Sequence, residues 1–195
     1  MSGEKRILQL LLDAVAGGVF PGAVLLVARQ KKTLLCEAVG NGAVLPAPRL
    51  MTSQTRFDLA SLTKPLATAL SVLCLVSQEK LQLDDSLAKL LPSTSVPQDK
   101  KEITLRQLLC HCSGLPAWRP YYLSLQTLPL KDRTASLRQM IVQEPLDSSP
   151  GTTTTYSDLG FLVIEWILEQ ISGQNLHHFT RENLFGPLGC ATPAF

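Results

Sequence analysis

The chain lacks three things: an apolar run of membrane-spanning length, a block of like charge and a cysteine framework. Its longest apolar segment, Leu66 to Val76, falls well below the roughly 20 residues a span requires, and Thr68 and Ser71 interrupt it. No transmembrane helix is expected. Lysine and arginine number 18 against 16 acidic residues, a net charge of +2. The basic doublets Lys5-Arg6, Lys31-Lys32 and Lys100-Lys101 are short and far apart, so nucleic acid is not an expected partner. The amino-terminal stretch MSGEKRILQLLLDAVAGG is interrupted by Asp13, and Ile7, Leu10, Leu11 and Val15 recur at helical spacing. It reads as an amphipathic helix and not as a signal peptide.

Five cysteines, Cys36, Cys74, Cys110, Cys112 and Cys190, are an odd number without disulfide spacing, which suits free thiols in the cytoplasm or another reducing intracellular compartment. A zinc site would have to draw on Cys110, His111, Cys112, His177 and His178. No Cys-x-x-Cys occurs, and residues one or two apart on a helix point in different directions, so no metal is expected.

What is present is enough for a core. At 195 residues and 45% hydrophobic content, the chain can form one domain or part of a larger one. After Gly17-Gly18, the stretch PGAVLLVARQKKTLLCEAVG predicts two strands, Ala23 to Arg29 and Thr33 to Ala38, around Gln30-Lys31-Lys32. The first strand is apolar almost throughout, which predicts burial on both faces. Gly40 to Pro48 reads as loop. A long central helix is expected from Ser61 to Glu79, apolar on nearly every side. Further helices are expected over Leu83 to Leu91, stopped by Pro92, and over Thr104 to His111, with Thr104 as N-cap. Others are expected at Thr134 to Gln143, through LGFLVIEWILEQI closed by Gly173, and from about Asn175 to Leu184. No repeat, low-complexity tract or linker is visible. Two strands cannot make a stable covered sheet, so further strands are expected from an absent segment or from another chain.

The chemistry is sought at Ser-x-x-Lys, which occurs four times: Ser2 with Lys5, Ser61 with Lys64, Ser77 with Lys80 and Ser86 with Lys89. Proline 65 separates them. Proline has no N-H and clashes with the carbonyl four residues earlier, so it belongs in the first turn of a helix. The helix should therefore begin at about Ser61, with that serine at the positive end of the dipole and Lys64 on the same face. The residue before a proline is biased away from helical geometry, which sets Lys64 under some tension. The other three pairs read as a fraying terminus and two solvated helix faces. A plain N-cap serine with a snorkelling lysine is the competing reading of Ser61 and Lys64.

FDLASLTKPLATA, ITLRQLLCHCSGLP, PGTTTTYSDLGFLVIEWILEQISG and LFGPLG, in that order, resemble the serine beta-lactamase and penicillin-binding protein superfamily. The likeness is to the class C beta-lactamase-like group, with its esterases and D-aminopeptidases. The resemblance implies an α+β, beta-lactamase/transpeptidase-like fold, with a sheet flanked by helices plus an all-helical region. It further implies that residues 1–195 are the amino-terminal part of one domain, with C-terminal strands and a closing helix missing. Residues 1–55 would carry the helix and hairpin of the sheet region, and residues 56–195 the mostly helical region.

It also implies that Ser61 is the acylating nucleophile of a serine hydrolase acting on small carboxylic esters or amides. Lys64 and Tyr156 would share the proton transfer, with their division open, and no cofactor is needed. Asp158 stands where beta-lactamases of this group usually have asparagine, so an acceptor-only carboxylate replaces an amide. It can pair with Lys64, N-cap the following helix, or do both. That change points away from antibiotic hydrolysis. His111-Cys112-Ser113-Gly114 matches a structural loop that supports the central helix, and His177 and His178 read as helix surface. The superfamily's final element, Lys or His, then Thr or Ser, then Gly, is absent, and with it an oxyanion-hole N-H. The alternative is a noncatalytic partner-binding module that associates through its incomplete sheet edge.

Overall fold

Residues 3–190 are described by the computed structural model, in which the chain divides into two units, Met1–Asp58 and Leu59–Phe195. In the first, helix α1 (Gly3–Ala16) lies on a three-stranded antiparallel sheet of order β1-β2-β3. Strands β1 (Gly22–Arg29) and β2 (Lys32–Ala43) are joined by Gln30 and Lys31, whose φ angles of 50° and 66° make a two-residue turn of the kind that matches strand twist. The turn is therefore one residue shorter than the sequence suggests, and Arg29 pairs with Lys32.

Two further expectations fail here. The segment from Gly40 is not loop at first, because β2 continues to Ala43 and pairs with a short β3 (Arg49–Leu50). Paired glycines permit that continuation: a Cβ on Gly22 would stand 2.4 Å from the Asn41 carbonyl oxygen, and one on Gly40 2.4 Å from that of Pro21. Nor is β1 buried on both faces. Its first four residues are half-buried and its last four exposed, because among the described residues of this unit only α1 covers the sheet.

The second unit is built around a composite helix, α2 (Ala60–Ser77), which starts as a 3-10 turn, widens to a π-helix over Lys64–Ala69 and ends as α-helix. Proline 65 accounts for the widening. Its ring would crowd the Ser61 carbonyl in an α-turn, and the larger π-turn relieves that clash. By length and apolar composition alone α2 is sufficient to cross a membrane, which the shorter run Leu66 to Val76 did not suggest. Its Thr68, Ser71, Val72 and Leu75 are buried within this unit.

Helices α3 (Leu87–Leu90), α4 (Leu105–Leu109), α5 (Tyr122–Leu125), α6 (Leu130–Gln143), α7 (Asp158–Ser172) and α8 (Leu176–Thr180) follow, the last running into a π-turn at Arg181–Phe185. The core joins Val72 and Leu75 of α2 to Leu105 and Leu108 of α4 and to Ile164 and Ile167 of α7. Each such side chain contributes about 1.5–3 kcal/mol by leaving water. Thr104 caps α4 through a reciprocal capping box with Gln107, and Gly173 ends α7 at φ 70°.

Several helix boundaries differ from expectation, and α4 ends at Leu109, short of His111. The helix expected over Leu83 to Leu91 shrinks to α3: Asp85 folds back to accept from the Gln82 N-H at 2.9 Å, and Ser86 is extended and bridged to Thr104. Helix α6 begins four residues before Thr134, directly after Pro129, and α5 carried no usable periodicity in its four residues. The cap of α7 is Ser157 and not Asp158. The Ser157 Oγ accepts from the Gly160 N-H at 3.1 Å and donates to the Pro116 carbonyl at 2.6 Å, which leaves Asp158 as the first helical residue.

Candidate functional site

Ser61 lies in the opening turn of α2, where backbone N-H groups point outward and favour negative charge. Lys64 follows at the start of the π-turn, and its Nζ donates to the Ser61 Oγ at 3.3 Å. The same Nζ lies 2.6 Å from the Asp158 Oδ1, 4.9 Å from the centre of the Tyr156 ring and 5.8 Å from that of Phe161. Ser61, Lys64, Tyr156 and Asp158 therefore lie together, the first two by their spacing on one turn and the others at the positions that the resemblance implied. The other Ser-x-x-Lys pairs do not assemble in this way. The Ser77 hydroxyl donates to its own helix at Cys74, and Lys89 turns to Asp85 instead of Ser86. Ser2 lies outside the described residues.

Electrostatics separates the roles of the two proton-bearing groups. Burial lowers the proton affinity of Lys64, whose side chain is 15% exposed, but the Asp158 carboxylate and then Tyr156 outweigh it and hold the ammonium above its ordinary value. The Tyr156 phenol is held below its ordinary value, first by its hydrogen bond with Ser61 and then by Lys64. Tyr156 and Ser61 sit at the exposed rim, so a substrate can reach both. Behind them lies an apolar cavity of about 520 Å³, lined by Pro65, Ala69, Leu73, Leu109 and Phe161 as well as by His111.

Sequence reasoning did not assign His111 to this place. It stands at φ 57° just beyond α4, in the left-handed position that usually takes glycine, while Cys112 and His111 return their N-H groups to Gln107 and Leu108. That turn aims the imidazole across the site. Its ring centre is 4.5 Å from Tyr156 and 5.0 Å from Phe161, and its Nδ1 accepts from the Ser157 N-H at 3.0 Å. Acceptance at Nδ1 requires the neutral ring. Burial, and next the charge of Lys64, hold the imidazole below its ordinary value.

The loop after His111 carries the Tyr156 segment. Four backbone bonds join the two stretches: Asp147 to Gly114, Gly151 to Cys112, Thr155 to His111 and Asp158 to Ala117, all between 2.7 and 2.9 Å. The one sequence signal for His111 was its unusual place at a helix C-terminus where glycine would be cheapest.

Among the described residues no group of three or more His, Cys, Asp or Glu side chains is placed to hold a metal. All five cysteines are free. His178 is exposed on α8, whereas His177 is half-buried and not the surface residue that was expected.

The family model described as Beta-lactamase matches residues 8–195. The chain is 32% identical over 199 residues to an N-acetylmuramyl-L-alanine amidase of Bacillus subtilis (strain 168), an alignment covering 94% of this chain and 44% of that protein. It superposes on EstCE1, described as a hydrolase with promiscuous acyltransferase activity, with a TM-score of 0.78 and 28% identity over 95% of this chain and 51% of the other. The penicillin-binding protein homologue of Pyrococcus abyssi shares the fold at TM-score 0.79 and 22% identity, over 96% of this chain and 43% of the other. The chain thus spans less than half the length of the amidase it matches.

Proposed function

The chain belongs to the beta-lactamase family, and on that premise we propose that it is a serine hydrolase that transfers an acyl group from small carboxylic esters or amides to Ser61. One observation carries the reading: the Ser61 hydroxyl, a lysine clamped as its ammonium, and a phenol with lowered proton affinity meet at the mouth of one cavity. A serine hydroxyl is a weak nucleophile until a base takes its proton. Lys64, held protonated by Asp158, has no lone pair to offer, so the base is the phenolate form of Tyr156.

The Ser61 Oγ attacks the carbonyl carbon as its proton passes to the Tyr156 oxygen. The carbon-oxygen or carbon-nitrogen bond of the substrate then breaks, and Tyr156 returns the proton to the leaving alcohol or amine. Water repeats the sequence against the acyl-enzyme, with Tyr156 again taking the proton and Ser61 recovering it. Lys64 stabilises the negative charge on both oxygens throughout, and the start of α2 favours charge on the substrate oxygen.

Turnover of 4-nitrophenyl esters by the purified chain tests this. Removing the nucleophile in Ser61→Ala abolishes the acyl-enzyme route, and Tyr156→Phe loses a general base normally contributing about 10²–10⁴-fold. Undiminished turnover by Ser61→Ala would exclude the mechanism.

A further inference from the structure

A second cleft, of about 600 Å³, also begins at Ser61 and Lys64 and leads away between α5, α6 and α7. On α7 its wall is formed by Asp158, Leu162 and Glu165, three residues at helical spacing on one face. Glu165 therefore lies about 10 Å along the helix axis from the Asp158 end, where Ser61 stands. Trp118, Tyr122, Leu125, Leu137 and Leu176 make the remaining walls largely apolar.

Both cations that line this cleft are already paired. Lys64 is held by Asp158 at 2.6 Å, and the other lining cation, Arg119, is held by Glu144 at 2.7 Å. Arg138 of α6, which acts on Glu165 through space, is bonded to Glu169 one turn further along α7. Among the described residues Glu165 meets no hydrogen-bond or ion-pair partner, although it is partly buried. Burial raises its proton affinity, Arg138 partly reverses that, and Glu169 adds to it. A carboxylate left without a partner among apolar walls is costly, and an incoming cation would relieve that cost.

The geometry points to Glu165 as the recognition group for a cationic end of the substrate: an acyl chain that carries an ammonium about 10 Å from the scissile carbonyl. This rests on acyl transfer at Ser61. The acyl portion is the relevant one because it stays bound through both acylation and deacylation, so one contact at Glu165 serves both steps. Trp118 and Tyr122, with ring centres 6.4 Å apart at the cleft, add aromatic faces along which an alkylammonium can pass.

The test compares 4-nitrophenyl esters of octanoic acid and of 8-aminooctanoic acid, whose extended chain reaches roughly that far. The wild-type chain should favour the amino ester by about tenfold or more in kcat/KM, the range of a charge-assisted contact. In Glu165→Gln the ratio should fall to about one. A series of shorter and longer ω-amino esters on the wild-type chain needs no variant, and the preference should peak near the octanoyl length. Equal rates for the two wild-type substrates, a ratio kept by Glu165→Gln, or no maximum with length would each overturn the assignment. If neither ester is turned over, acyl transfer at Ser61 fails. The cleft is then judged separately, by saturable binding of octylammonium that weakens in Glu165→Gln, and absence of that binding refutes it.

Discussion

Replacing Asp158 with asparagine isolates the charge that keeps Lys64 protonated. The two groups stand 2.6 Å apart, with side chains 15% and 43% exposed for Lys64 and Asp158. A carboxylate within 4–6 Å moves a neighbouring titration by about 1–3 pH units. In Asp158→Asn the amide oxygen could still accept from the Nζ but would carry no charge, so the lysine should titrate lower than in the wild type.

Lys64 titrates higher in the folded chain than its ordinary 10.5, so its contribution is fully present below that value and disappears as pH rises through the folded one. Discounted for solvent screening, Asp158→Asn should cost about 1 kcal/mol at pH 7, a fall in Tm of about 2–4 °C. Above the folded titration point the two proteins should melt alike. Heteronuclear NMR of the Lys64 Nζ against pH, with calorimetry at neutral and strongly alkaline pH, measures both parts. An unmoved or raised lysine titration in the variant would refute the electrostatic argument.

His111→Gly keeps the left-handed backbone, which glycine adopts without strain, and removes only the ring. Stability should stay within about 1 kcal/mol, while ester turnover falls about tenfold or more as Tyr156 and the Ser157 N-H lose their support. In the wild type, protonation of the ring below its ordinary value of 6.5 ends acceptance at Nδ1 and should steepen the acid loss of turnover that protonation of Tyr156 already causes, whereas in the variant only the Tyr156 limb should remain. The folded chain also loses stability over that same descent, since the unfolded ring takes a proton first. Ser157→Ala should cost about 2 kcal/mol in urea unfolding, because it deletes the α7 cap and a buried hydroxyl bond to Pro116. In Gly114→Ala the new Cβ would stand 2.2 Å from the Ser148 carbonyl oxygen at φ 81°, and the chain should lose about 2–4 kcal/mol by the same measure.

What could be read from the sequence was the local punctuation. Proline 65 located the start of α2, Thr104 located that of α4, and Gly173 closed α7, because each acts on backbone within one turn. Where tertiary bonds compete, local pattern misleads. Leu83 to Asp85 has helical spacing, yet Asp85 and Leu83 give their carbonyls to Leu105 and Arg106 and so cannot continue into α3. The same holds at the site. The meeting of Ser61 with Lys64 was legible as a single helical turn, whereas the place of Tyr156 depends on four backbone bonds to residues some 30 to 45 positions earlier. No periodicity encodes those. His111 was passed over for that reason, and the serine that caps α7 was mistaken by one position because both Ser157 and Asp158 are good capping types.

Intact-mass analysis after exposure to a fluorophosphonate tests the central claim most directly. Acyl transfer at Ser61 predicts a single adduct that maps to that serine and is absent from Ser61→Ala, with labelling slowed in Tyr156→Phe. An adduct on another residue, labelling that persists in Ser61→Ala, or no adduct at all would contradict it.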